Sequence, residues 1–214
     1  MPLAQIWPFV LLSMVCIIAP GPDNISVISY GVSQGRRAGM LFGAGCSAGC
    51  LLHTFWAFIG LSALIAASVT AFTVVKIAGA LYLFYLAVQA FRSSGLTGLK
   101  RMAGAGVPLH GLIYFRRGFL ANALNPKVAL FFLAFLPQFT RPANWTIPTQ
   151  FLLLGCLFTA LSLVIFVLLG LSSGSVGSFL KNHAGVGAWL DRLTGTVFVL
   201  LGLKLLLTRV HSNT

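Results

Sequence analysis

Two side chains of opposite charge stand directly after prolines inside apolar runs of this 214-residue chain. In the first run, Ile17-Ile18-Ala19 meets Pro20-Gly21-Pro22-Asp23-Asn24 before apolar sequence resumes from Ile25 to Tyr30. In the second, Phe119 to Leu124 meets Asn125-Pro126-Lys127 and resumes through Phe131-Phe132-Leu133. A proline removes a backbone donor and clashes with the preceding turn, so each run is expected to break there. A half-helix starting at Pro126 presents unpaired N–H groups and a positive dipole end, which with the Lys127 ammonium suits a carboxylate. Asp23 suits an ammonium, or a proton exchanged for one. Together the two breaks can read both ends of a zwitterion. The plainer readings are that Asp23 and Asn24 cap a restarted helix and that Lys127 snorkels to an interface. Capping does not account for opposite charges at two breaks deep in apolar sequence, where ionisable groups are costly and default to function.

The elements that must carry these residues are set by composition. Hydrophobic residues make up 58% of the chain and charged residues only 7%, against about 25% charged in a soluble domain. That much apolar surface exceeds what one core can hide, so much of it must face lipid. Spanning ~30 Å of hydrocarbon takes about 20 apolar residues, and such runs lie at about 4–32, 39–66, 71–92, 117–139, 149–173 and 188–208. The expectation is an all-α integral membrane protein of six transmembrane helices, the first and fourth broken by proline. Matching breaks in two halves point to two inverted three-helix repeats around a midplane site. Repeat one takes residues 1–92 and repeat two residues 117–214, with 93–116 as a cytoplasmic basic loop, in one transporter domain.

Acidic residues number 2 and basic residues 14, giving a net charge of +12. The basic residues fall between apolar runs, as the positive-inside bias places them, and form no stripe for nucleic acid. Arg36 and Arg37, then Arg92, Lys100, Arg101, Arg116 and Arg117, then Lys181 and Arg192 mark connections one, three and five as cytoplasmic. The second connection has no such residue, and the fourth only Arg141. The N-terminus is then extracytoplasmic, and after six spans the tail with Arg209 ends on that same side, a weaker fit to the bias. No Lys or Arg precedes Arg36, so the first run is expected as a retained helix rather than a cleaved signal.

Glycines at 35, 39 and 43, then 45 and 49, give the spacing at which helix backbones approach closely in lipid. Internal packing is the favoured use, a homodimer face the other. Cys46, Cys50 and His53 share one helix face at i, i+4 and i+7, a set that suits soft or borderline metals. A heavy-metal exporter is thus a rival reading, although buried free cysteines more often act as small hydrophobes. A transmembrane thiol–disulfide electron carrier is a weaker rival, since Cys16 in the first broken helix has no counterpart in the fourth. No nucleophile–base constellation suggests an enzyme, and no cofactor or resident metal is implied.

At these motifs the sequence resembles the lysine exporter and homoserine/threonine-resistance (LysE/RhtB) translocators. The resemblance is carried by Pro20-Gly21-Pro22-Asp23 and Gly35-Arg36-Arg37-Ala38-Gly39, and by Lys76-Ile77-Ala78-Gly79-Ala80-Leu81-Tyr82-Leu83 with Tyr85-Leu86. Arg117-Gly118-Phe119-Leu120, Asn122, Asn125-Pro126-Lys127 and Phe135-Leu136-Pro137-Gln138-Phe139 complete it. Ala19 stands where the family often has another glycine. The resemblance implies efflux of amino acids or their analogues across a bacterial inner membrane, coupled to the proton gradient. It marks Pro20, Gly21, Pro22, Asp23, Asn125, Pro126 and Lys127; with Asn24 and Asn122 beside them these make the expected substrate-binding set, and Lys76, Tyr82 and Gln89 on the third span are candidate pathway residues. With one acidic residue inside an apolar run, a doubly cationic substrate such as lysine is less favoured than a singly charged ammonium.

Overall fold

The computed structural model describes residues 3–61, 69–93, 110–140 and 145–207. All regular elements among them are helical. Helix α1 (Leu3–Ile18) and α2 (Pro22–Gln34) flank the first break and bend by 54°. Helix α3 (Arg36–Trp56) runs into a π turn at Ala57–Leu61, and α4 spans Val69–Arg92. The second break separates α5 (Gly111–Ala123) from α6 (Pro126–Leu130), which continues through a π turn, Phe131–Phe135, and a 3-10 turn, Leu136–Phe139. The bend there is 48°. Helices α7 (Ile147–Asn182) and α8 (Ala184–Leu207) follow.

Both breaks fall where the prolines require them, and each proline sits at the first turn of the helix that restarts, where its missing N–H costs nothing. Two helices are long and apolar enough to cross a membrane alone, or up to four if each bent pair is one span. In the most apolar stretch of α7 only 28% of the residues are buried by protein. Its outward side chains include Val164 and Leu168, each 58% exposed. Apolar surface left open at that scale belongs against lipid tails.

Two boundaries differ from expectation. Helix α5 begins at Gly111 rather than 117, because His110 Nδ1 accepts from Leu112 N–H (3.4 Å) and Tyr114 and Gly118 already share its buried face. Arg116 and Arg117 therefore sit on an exposed helix face, and residues 111–116 of the expected basic loop belong to α5. Lys100, Arg101, Arg141 and Arg209 lie outside the described residues. Helix α7 continues to Asn182 through a Ser- and Gly-rich stretch that reads as a loop. Ser172 Oγ bonds back to Leu168 O at 2.7 Å, so its hydroxyl is satisfied within the helix instead of ending it. At 36 residues, α7 spans ~54 Å, more than the hydrocarbon thickness.

The core forms where α3 packs against α5 and α7, with α2 lodged between α3 and α7. Helices α4 and α8 pair with each other at the side of this core. The α3 glycines serve these internal contacts. A Cβ on Gly39 would come within 2.9 Å of Val27 O on α2, and one on Gly43 within 2.8 Å of Phe166 Cβ on α7. Gly45 lies against the Phe115 carbonyl on α5 and, reciprocally, Gly118 against the Phe42 carbonyl on α3. Gly35 joins α2 to α3 at φ +91°, a conformation that favours glycine.

Candidate functional site

Breaking a helix leaves its last carbonyls unpaired. Here side chains from both halves of the chain reach those of α1. Asn24 Nδ2 donates to Ile17 O at 2.9 Å, and Lys127 Nζ crosses from α6 to donate to Ala19 O at 2.9 Å. Lys127 is 6% exposed, so its ammonium turns inward and does not snorkel. Its charge rests at the negative end of α1, the favourable end for a cation. Gly21 makes room for it, since a Cβ there would stand 3.0 Å from Nζ. The second break is capped locally: Asn125 Oδ1 accepts from Lys127 N–H at 3.0 Å. Asn125 thus fits the capping reading, whereas Asp23 does not, because Gly21 holds the cap position and no side chain caps α2.

Asp23 faces across the bundle. Its Oδ2 accepts from Asn122 Nδ2 at 2.7 Å, joining α2 to α5. Asn122 is fully buried and is itself held on two other sides. Cys50 Sγ donates toward Asn122 Oδ1 (3.5 Å) and approaches Ser162 Oγ (3.8 Å), while His53 Nε2 lies 3.0 Å from Asn122 O. Gly49 sits flat beneath this carboxamide, where a Cβ would meet Asn122 Cβ at 2.8 Å. The shared face of Cys50 and His53 therefore orients Asn122. Among the described residues no group of three or more His, Cys, Asp or Glu side chains could hold a metal ion.

Asp23, Asn122, Lys127, Cys50 and Ser162 form the polar side of a small cavity. Cys16, Ile17, Val128, Phe158 and Phe166 form its apolar side. It has room for about one water molecule, so this conformation is closed around the site. Phe158 packs on Phe131 and Phe132, with ring centroids 4.8 and 5.2 Å away. On α2, two turns beyond Asp23, Tyr30 stacks on Phe42 (4.9 Å) and takes a hydrogen bond from Arg117 Nη1 (3.2 Å). Three buried polar atoms at the breaks have no hydrogen-bond partner: Asp23 Oδ1, Asn24 Oδ1 and Asn125 Nδ2. The first break thus offers spare acceptors, and the second a spare donor.

Of the residues singled out in the sequence, Gly21, Asp23, Asn24, Asn122, Asn125 and Lys127 converge through these contacts. Pro20 is half-buried within the first break, and Pro22 and Pro126 are exposed at the helix starts they create. Lys76, Tyr82 and Gln89 do not line the cavity; α4 carries them beside α8, with Tyr82 against the Tyr85 ring (5.6 Å) and Gln89 exposed. Sequence reasoning missed Ser162 and the support that Cys50 and His53 give Asn122. A lone serine in the apolar run of α7, four residues from Phe158 and Phe166 on either side, was the available signal.

The family model described as LysE type translocator matches residues 14–209. The chain is 30% identical to the uncharacterized membrane protein YrhP of Bacillus subtilis, over 92% of this chain and 95% of that one. It is 28% identical to a homoserine/homoserine lactone efflux protein of Salmonella typhimurium (91% and 92% covered). A leucine efflux protein of Enterobacter sp. is also 28% identical (90% of each chain). No solved structure gives a significant match.

Proposed function

The chain belongs to the LysE type translocator family, and from that premise we propose that it is a secondary transporter exporting amino acids or their analogues across a bacterial inner membrane, coupled to proton influx. Relatives named as homoserine and leucine efflux proteins support the cargo class. The observation that carries the reading is the complementarity of the two breaks. In the cavity, buried and unpartnered Asp23 Oδ1 is ready to accept from an ammonium, and Lys127, from the other break, lines the same cavity and suits a carboxylate. An unsatisfied buried polar atom is costly, and a zwitterion would satisfy Asp23 Oδ1 at one end and meet the Lys127 charge at the other.

In this reading α4 and α8 complete six spans, and the chain forms two inverted repeats with the breaks at their centre. The pairing supports it: α3 and α7, equivalent in the two halves, pack together, as do α4 and α8. The expected topology, with an extracytoplasmic N-terminus, is part of the proposal. Because the site is closed, transport requires one repeat to move against the other and open the cavity to each side in turn. Asp23 would take the substrate ammonium or the returning proton.

The test is efflux of labelled amino acids from preloaded cells expressing the protein, beside Asp23→Asn. Export of an amino acid class that the variant abolishes, and that collapse of the proton gradient stops, is the expected result. Undiminished export by Asp23→Asn would refute the site, and export indifferent to the gradient would refute the coupling.

A further inference from the structure

The geometry points to α7 as the element that selects the substrate side chain, through Phe158, Ser162 and Phe166, and to uncharged, aliphatic amino acids as the cargo. The inference rests on the exporter reading above and deepens it. The broken helices carry the charged groups, Asp23 and Lys127, that read the ammonium and carboxylate common to every amino acid. What distinguishes one amino acid from another must be read by the rest of the cavity, and α7 supplies three residues of its lining.

These three lie at i, i+4 and i+8, one face of a helix that runs without interruption from Ile147 to Asn182. An unbroken helix keeps such a face in register when the bundle opens. Phe158 and Phe166 are 1% and 3% exposed, and with Ile17 and Val128 they make the wall facing the side chain apolar. Ser162 is the polar point on that face, and the Cys50 thiol already points toward its oxygen. The carboxylate in the cavity is Asp23, which the α-ammonium engages in this reading. A second ammonium, as in lysine, would lie against phenyl rings with no counter-charge, which a low-dielectric site penalises heavily.

The experiment uses the full chain in proteoliposomes, comparing efflux of leucine, phenylalanine and lysine for wild type, Ser162→Asp, Phe166→Ala and Asp23→Asn. Wild type is expected to move leucine at least about a hundredfold faster than lysine. Ser162→Asp places a carboxylate on the wall and should raise lysine relative to leucine by about tenfold or more. Phe166→Ala keeps the Cβ that Gly43 packs against while removing the ring. It should raise phenylalanine relative to leucine by about tenfold. Where Ser162→Asp fails to accumulate, Phe166→Ala decides alone. Equal wild-type export of lysine and leucine, or variants that scale all three substrates by one factor, overturns the inference while Asp23→Asn remains inactive. If Asp23→Asn exports normally, the site reading has failed instead, and with it the basis of the inference.

Discussion

Replacing Gly118 by alanine tests whether the site depends on backbone contact between α3 and α5. The added Cβ would overlap the Phe42 carbonyl oxygen and stand 2.9 Å from its carbon and 3.0 Å from Cys46 N. These are main-chain atoms of a helix, so no side-chain rotation relieves them. Restoring ordinary contact requires the helices to part by about 1.5 Å, and overpacking of this kind costs about 1–3 kcal/mol, occasionally more. The functional effect should be larger than the stability effect. Asn122 lies one turn beyond Gly118 on the same face, and its 2.7 Å bond to Asp23 would stretch past hydrogen-bond range if α5 moved by that amount. Thermal unfolding of purified protein in detergent should show a lowered Tm, and export should fall below about a tenth of wild type. Gly45→Ala, whose Cβ meets the Phe115 carbonyl at the same crossing, should act alike, and the double variant should cost less than the sum. Gly174→Ala is the control, because nothing lies within 4 Å of the added carbon. A Gly118→Ala protein with wild-type Tm and export would refute the reasoning outright.

Asn122→Ala removes the donor to Asp23 and should lower stability by about 1–3 kcal/mol while abolishing export; chemical denaturation and efflux measure the two effects. Gly21→Ala pushes a Cβ to 3.0 Å from the Lys127 ammonium, whose flexible stem can yield, so export should drop severalfold with little change in Tm. Asn125→Ala loses the cap on α6 and about 1 kcal/mol, whereas Asn125→Ser retains most of it, as Tm in detergent will show. Gln89→Ala, on the exposed side of α4, should export at the wild-type rate, and a loss there would return α4 to the pathway.

The sequence made the breaks legible because proline allows few alternatives, and it made the α3 glycines legible because their spacing repeats along one helix. It could not show which partners those faces meet. Cys46, Cys50 and His53 were correctly grouped on a face of α3, yet the structure turns Cys50 and His53 to Asn122, a residue of the other half of the chain. Nothing local encodes that meeting; it follows from α3 crossing α5 at Gly45 and Gly118. The start of α5 and the end of α7 are hidden in the sequence for a different reason. Arginines and serines look like loop residues, but exposed guanidinium groups and back-bonded hydroxyls are compatible with a continuing helix.

The same tertiary crossings explain how two buried opposite charges can belong to a transport site rather than to a static brace. An ion pair closed on itself in a low-dielectric interior leaves little for a ligand to gain by entering it. Here each charge is bonded to a neutral group instead: Asp23 to the Asn122 carboxamide and Lys127 to the Ala19 carbonyl. A hydrogen bond to a charged group is worth about 1.5–3 kcal/mol, an amount that a substrate's ammonium and carboxylate can replace when they bind and return when they leave. In the proposed transport cycle the neutral partners would keep the charges folded inward without locking them together, and their removal should therefore damage export more than stability.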